Sequence, residues 1–208
     1  GIFSKWFPFV LNACFMMGAI FFLFKTASLI CRNNTYALLS AIAYAMSLAC
    51  ITTTIYIRMY SMLTFFVVLF SYMTLFLYRN YENVKTKHFV IFGIVAFLGN
   101  LTHYYFILFE LLVGITLLII TIKRKGAFSI KKYIIAGVLA AVASLSVYPF
   151  IITNVLSGNR GLDAGNISID FVTILTYGVY KIRTYIQIIS KEIFANQIWL
   201  FVLLVMLM

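Results

Sequence analysis

The chain has 208 residues, of which 64% are hydrophobic, 18% aromatic and only 10% charged. A soluble domain carries about 25% charged and about 45–50% apolar residues, so this composition excludes a water-soluble, disordered or acidic-tail protein. The 16 Lys+Arg against 5 Asp+Glu give a net charge of +11, but the basic residues sit in short loops between apolar runs, which argues for membrane lipid headgroups as partners and against nucleic acid.

In chain order the pattern predicts an all-α, polytopic transmembrane helix bundle forming a single transmembrane domain over 1–208. Apolar runs cover about 7–30, 35–56, 61–78, 88–101, 104–122 and 133–153, apolar on all sides as lipid-facing helices require. The fourth is short for a span and is expected to continue past Thr102. The run at 198–208, IWLFVLLVMLM, has eleven residues. As helix it reaches about 16 Å of a roughly 30 Å hydrocarbon core. These runs make about six complete spans plus a partial seventh. Residue 1 is Gly and no signal-peptide pattern precedes the first run. The chain therefore reads as an internal fragment of a longer protein, with sequence missing at both ends.

Orientation follows from Lys and Arg. Ten collect on one side, including the clusters 123–125 (KRK) and 131–132 (KK), and six on the other, four of them in the long segment 154–196. Long loops weigh little, so the ten-residue side is cytoplasmic and 154–196 is an extracytoplasmic loop. Within that loop, nine Ile, Leu, Val and Phe residues at 171–189 would gain roughly 3–5 kcal/mol on insertion, while Lys181 and Arg183 would cost about 5–7 kcal/mol. An amphipathic helix on the outer surface follows.

The rare polar groups gather on the outer side: Arg58 and Tyr60, then Asn100 to Tyr105, then Tyr148 and the Gly- and Asn-rich loop carrying Arg160 and Asp163. Convergent polar and aromatic groups at one mouth of an apolar bundle are what a site for a polar headgroup needs. Arg58 marks a tight outer turn; it either grips phosphate oxygens through two parallel hydrogen bonds or snorkels to headgroups. Tyr60 is either a contact or a belt aromatic. His103 is either a proton carrier or a hydrogen-bonded interface residue. Glu110, seven positions on, would share a helical face with His103. As a carboxylate within a span it is either functional or paired with Arg58 or a Ser/Thr. Cys14, Cys31 and Cys50 lack metal-ligand spacing and read as small apolar residues. There is no phosphate-binding or dinucleotide glycine loop, no HExxH and no GxSxG, so neither metal nor cofactor is indicated.

At these residues the chain resembles a known family. The run YIRMYSMLTFFVVLFSYMTLFLYR (56–79) resembles the R-x-Y segment of bacterial GT-C fold glycosyltransferases, the superfamily of protein O-mannosyltransferases and the lipid A aminoarabinose transferase. GNLTHYYFILFELL (99–112) resembles the following hairpin, and SGNRG (157–161) a later outer loop. The resemblance implies inverting transfer of a sugar from a polyprenyl-phosphate carrier to an acceptor at the outer face of the bacterial cytoplasmic membrane. It implies Arg58, Tyr60, His103, Tyr104, Tyr105 and Arg160 as substrate-binding residues. The family's acid lies in the first outer loop, which would fall upstream of Gly1, so the catalytic residue is unknown and the 208 residues alone are expected to be inactive. A membrane transporter or lipid-carrier flippase is the alternative; such proteins show repeats and broken helices.

Overall fold

A computed structural model describes residues 6–56, 59–103, 105–124, 130–149, 183, 184 and 187. Seven helices follow one another: α1 (Phe7–Cys31), α2 (Asn34–Ala45), α3 (Leu48–Ile55), α4 (Tyr60–Arg79), α5 (Thr86–Thr102), α6 (Tyr105–Arg124) and α7 (Ile130–Val147). Helices α1, α4 and α7, and α6 as far as Ile122, are long and apolar enough to cross a bilayer. The chain is an integral membrane protein with a helical architecture. The expected outer loop at 154–196 and the partial span at 198–208 lie outside the described residues, apart from residues 183, 184 and 187, which have helical backbone.

Side chains set the helix ends. Arg32 takes a left-handed conformation (φ 54°) and its N–H closes α1 on the Ser28 carbonyl. Asn33 Oδ1 then accepts from Thr35 N at 2.8 Å and opens α2. In the α4–α5 turn, Asn80 Nδ2 donates to the Phe76 carbonyl at 3.0 Å, and His88 Nδ1 accepts from Lys85 N at 3.0 Å. Hydroxyls that face lipid are satisfied locally: Thr64, Thr116 and Ser146 each donate to the carbonyl four residues back.

Two expectations are corrected. The run at 35–56 is not one helix but two, α2 and α3, bent by 54°. Ser47 makes the break: its backbone is extended (φ −70°, ψ 145°), its Oγ donates to the Tyr44 carbonyl at 2.7 Å, and Cys50 N donates to the same Oγ at 3.2 Å. Hydropathy counts the run as uniformly apolar and cannot register one serine that supplies the hydrogen bonds of a new helix start. The fourth run also does not continue past Thr102, because His103 leaves the helix with φ −159° and ψ 136°.

The core lies among α4, α5, α6 and α7. Phe70, Phe92 and Phe106 are each 0% exposed; Phe70 meets Phe92 at 4.9 Å and Phe106 at 5.5 Å between ring centroids. Phe92 also meets Tyr133 of α7 at 4.6 Å. A smaller cluster of Met16, Ala19 and Cys50 joins α1 to α3. In lipid, such close ring packing and small-residue contact replace the hydrophobic drive that holds soluble helices together.

Candidate functional site

The successive helices α4 and α5 run antiparallel, with Phe70 against Phe92, so the start of α4 and the end of α5 lie at the same end of the bundle. Tyr60 is the first residue of α4 and is exposed; its carbonyl accepts from Thr64 Oγ1 at 2.8 Å. The turn before it is clamped on both sides. Asn12 Nδ2 of α1 donates to the Tyr56 carbonyl at 2.8 Å, and Ser61 Oγ of α4 donates to the Thr53 carbonyl at 2.8 Å. These bonds satisfy carbonyls that the end of α3 leaves open, and they fix where the α3–α4 turn emerges. Arg58, within that turn, lies outside the described residues, as do Tyr104 and Arg160.

His103 ends α5 and starts α6. Its N–H reaches the Gly99 carbonyl at 3.4 Å, its carbonyl accepts from Phe106 N at 2.9 Å, and its Nδ1 accepts from Tyr105 N at 3.2 Å. An accepting Nδ1 places the proton of the neutral ring on Nε2. The imidazole stacks on the Tyr105 ring, with centroids 5.0 Å apart and planes 18° from parallel. The turn thus presents a His–Tyr stack, and Tyr105 is exposed.

His103 and Glu110 do not share a helical face, as the sequence led us to expect, because the extended backbone at His103 separates it from α6. Glu110 instead bonds across the turn: Asn100 Nδ2 donates to its Oε2 at 3.0 Å. Asn100 is 1% exposed. Asn100 Oδ1 and Glu110 Oε1 are both buried without a hydrogen-bond partner among the described residues. On the far side of the carboxyl stands Gly137 of α7, where an added Cβ would lie 2.9 Å from Oε1. Any side chain at 137 would push the carboxyl away.

The structure therefore brings Tyr60, His103 and Tyr105 to one end of the bundle. It adds one residue not named from the sequence, Asn12, which holds the α3–α4 turn, and it makes Asn100, already named among the outer polar groups, the partner of Glu110. A lone amide inside each apolar run was the available signal. Among the described residues no group of three or more His, Cys, Asp or Glu can hold a metal ion. Comparison of the chain with protein-family models, with curated proteins and with solved structures yields no match.

Proposed function

We propose that the chain is part of an integral membrane glycosyltransferase that moves a sugar from a polyprenyl-phosphate donor to an acceptor at the extracytoplasmic face of the bacterial cytoplasmic membrane. The reading takes the chain as about six spans plus a partial seventh with an outer amphipathic helix at 171–189, oriented by its Lys and Arg residues. Its main support is the antiparallel α4–α5 pair, which sets the turn before Tyr60 and the His103–Tyr105 stack at one end of the bundle. Those are the two segments that carry the family resemblance.

A lipid-phosphate leaving group gathers negative charge as the sugar departs, and a guanidinium stabilises it through paired hydrogen bonds while remaining ionised. Arg58 fills that role, with Arg160 as a second cation in the outer loop. The aromatic faces of Tyr60, Tyr104 and Tyr105 and the Nε2–H of His103 suit a sugar, whose apolar ring faces stack and whose hydroxyls accept hydrogen bonds. The acceptor hydroxyl needs a carboxylate base, a role that the resemblance gives to an acid in the family's first outer loop.

The bent pair α2 and α3 favours the second reading, a transporter or lipid-carrier flippase, because discontinuous helices line the sites of such proteins. The two are separated by one assay. The gene product in its full natural length is reconstituted in vesicles with a polyprenyl-phosphate sugar and acceptor lipids. Sugar transfer that falls by about 10²–10³-fold in Arg58→Ala, the size of effect seen when a charge-stabilising donor is removed, supports the transferase. Movement of the carrier between leaflets without transfer supports the flippase.

A further inference from the structure

A cavity of about 230 Å³ lies between α6 and α7, well inside both spans. Glu110, Gly137 and Tyr133 stand on its wall, the Tyr133 hydroxyl sharing a 3.2 Å hydrogen bond with Thr74 Oγ1, and the rest of the lining is aliphatic. Its rim residues Leu111, Ile115 and Val138 are exposed on the surface that faces the acyl chains, so the cavity is reached sideways from the bilayer. At Gly114, also on the wall, an added Cβ would meet nothing within 4 Å. The space is real and the helix backbone borders it directly.

The polar groups behind this wall are unbalanced in one direction. Glu110 Oε1 and Asn100 Oδ1 lack partners among the described residues, and both are acceptors. The one bond between the two side chains uses one of the two N–H groups of the Asn100 amide and runs to Oε2, so it does not serve Oε1. No Lys or Arg of the described residues pairs with Glu110. What Glu110 Oε1 lacks is a hydrogen-bond donor, preferably a charged one, presented from the cavity.

We propose that this cavity binds the end of a cationic aliphatic amphiphile from the bilayer, its chain lying against the α6–α7 groove and its N–H-bearing ammonium pairing with the Glu110 carboxyl. The occupant has a single narrow chain, because the volume admits a headgroup and a few methylenes rather than a folded drug-sized molecule. Gly137 permits the carboxyl to stand where it does, and Gly114 keeps the groove open. This site is separate from the outer turns assigned to the donor lipid, and it stands whether or not the chain transfers sugar.

The test uses dicyclohexylcarbodiimide on the full chain in lipid nanodiscs, read by peptide mass spectrometry. The Glu110 carboxyl adds across one C=N bond of the reagent, and an O-to-N acyl shift then gives an N-acylurea that retains every atom of the reagent. The proposal expects an adduct on Glu110, and expects N,N-dimethyldodecylamine, a tertiary amine that cannot be acylated, to slow its formation. At a concentration about ten times its Kd the slowing is about tenfold. Dodecane and dodecyltrimethylammonium, which lack an N–H, protect little. In Gly114→Leu the filled groove removes protection by the amine. An unmodified Glu110 in the wild type overturns the proposal, as does absence of protection by the amine. Equal protection by dodecane or by the quaternary ammonium also overturns it, because the donor is then not what binds.

Discussion

Asn100 and Glu110, on successive helices, are joined across the His103 turn by a 3.0 Å hydrogen bond from Asn100 Nδ2 to Glu110 Oε2. It is a polar contact in a largely aromatic and aliphatic part of the bundle, and interhelical hydrogen bonds in membranes average about 0.6 kcal/mol and reach about 1.7 kcal/mol. A double-mutant cycle of Asn100→Ala and Glu110→Gln in unfolding from mixed micelles is therefore expected to give a coupling in that range. Additive effects of the two substitutions would show that the contact carries no stability of its own.

Gly99 packs against the ring of Phe106, and an added Cβ would stand 2.4 Å from that ring. Because Phe106 is 0% exposed and held by Phe70, the ring cannot step aside. Gly99→Ala is expected to destabilise by about 1–3 kcal/mol, the usual effect of overpacking. Adding Phe106→Leu, which shortens the opposing side chain, should recover part of the loss. An unchanged thermal midpoint in Gly99→Ala alone would mean that α5 and α6 are not this close.

Much of this fold is legible in the sequence, for a physical reason. A helix that must satisfy all its backbone groups in lipid announces itself by length and apolarity, and α1, α4, α6 and α7 do so. What is hidden depends on single polar side chains. Ser47 breaks α2 from α3 without any Gly or Pro to mark the place. His103 stops α5 and starts α6 in the gap between the fourth and fifth apolar runs, where the short fourth run led us to expect the helix to continue. The partner of Glu110 was sought at Arg58 or a hydroxyl, whereas the turn folds Asn100 back onto it. At the end of the bundle that carries them, Tyr60, His103 and Tyr105 were readable as turn residues, but the Asn12 bond that holds the first turn spans 44 positions and leaves no local trace.

Ser47 should be sensitive in proportion to its capping role. Its Oγ accepts from Cys50 N and donates to the Tyr44 carbonyl, so Ser47→Ala is expected to lose about 1 kcal/mol of stability. Ser40, an exposed serine on α2 whose hydroxyl only donates to the Tyr36 carbonyl, is the control and should change by less than about 0.5 kcal/mol. Equal responses at the two positions would remove the capping account of the break.

Asn12 is buried in α1 and donates to the Tyr56 carbonyl at the end of α3. Asn12→Leu keeps the branched shape and removes the donor, leaving that carbonyl to water. Amide exchange measured across 56–61 should then quicken about tenfold, corresponding to about 1.4 kcal/mol of lost local protection. Exchange confined to its wild-type rate in that segment would show that Ser61 holds the turn without Asn12.

The account rests on one spatial claim, that the three polar turns share the outward face of the membrane. It is tested most directly by labelling intact cells with a membrane-impermeant thiol reagent. The labelled proteins carry single substitutions Arg58→Cys, His103→Cys and Arg160→Cys in a background with Cys14, Cys31 and Cys50 replaced by Ala. The account predicts labelling of all three from outside, and labelling of Lys131→Cys only after the membrane is permeabilised. Labelling of Arg58→Cys, His103→Cys or Arg160→Cys only after permeabilisation would contradict it.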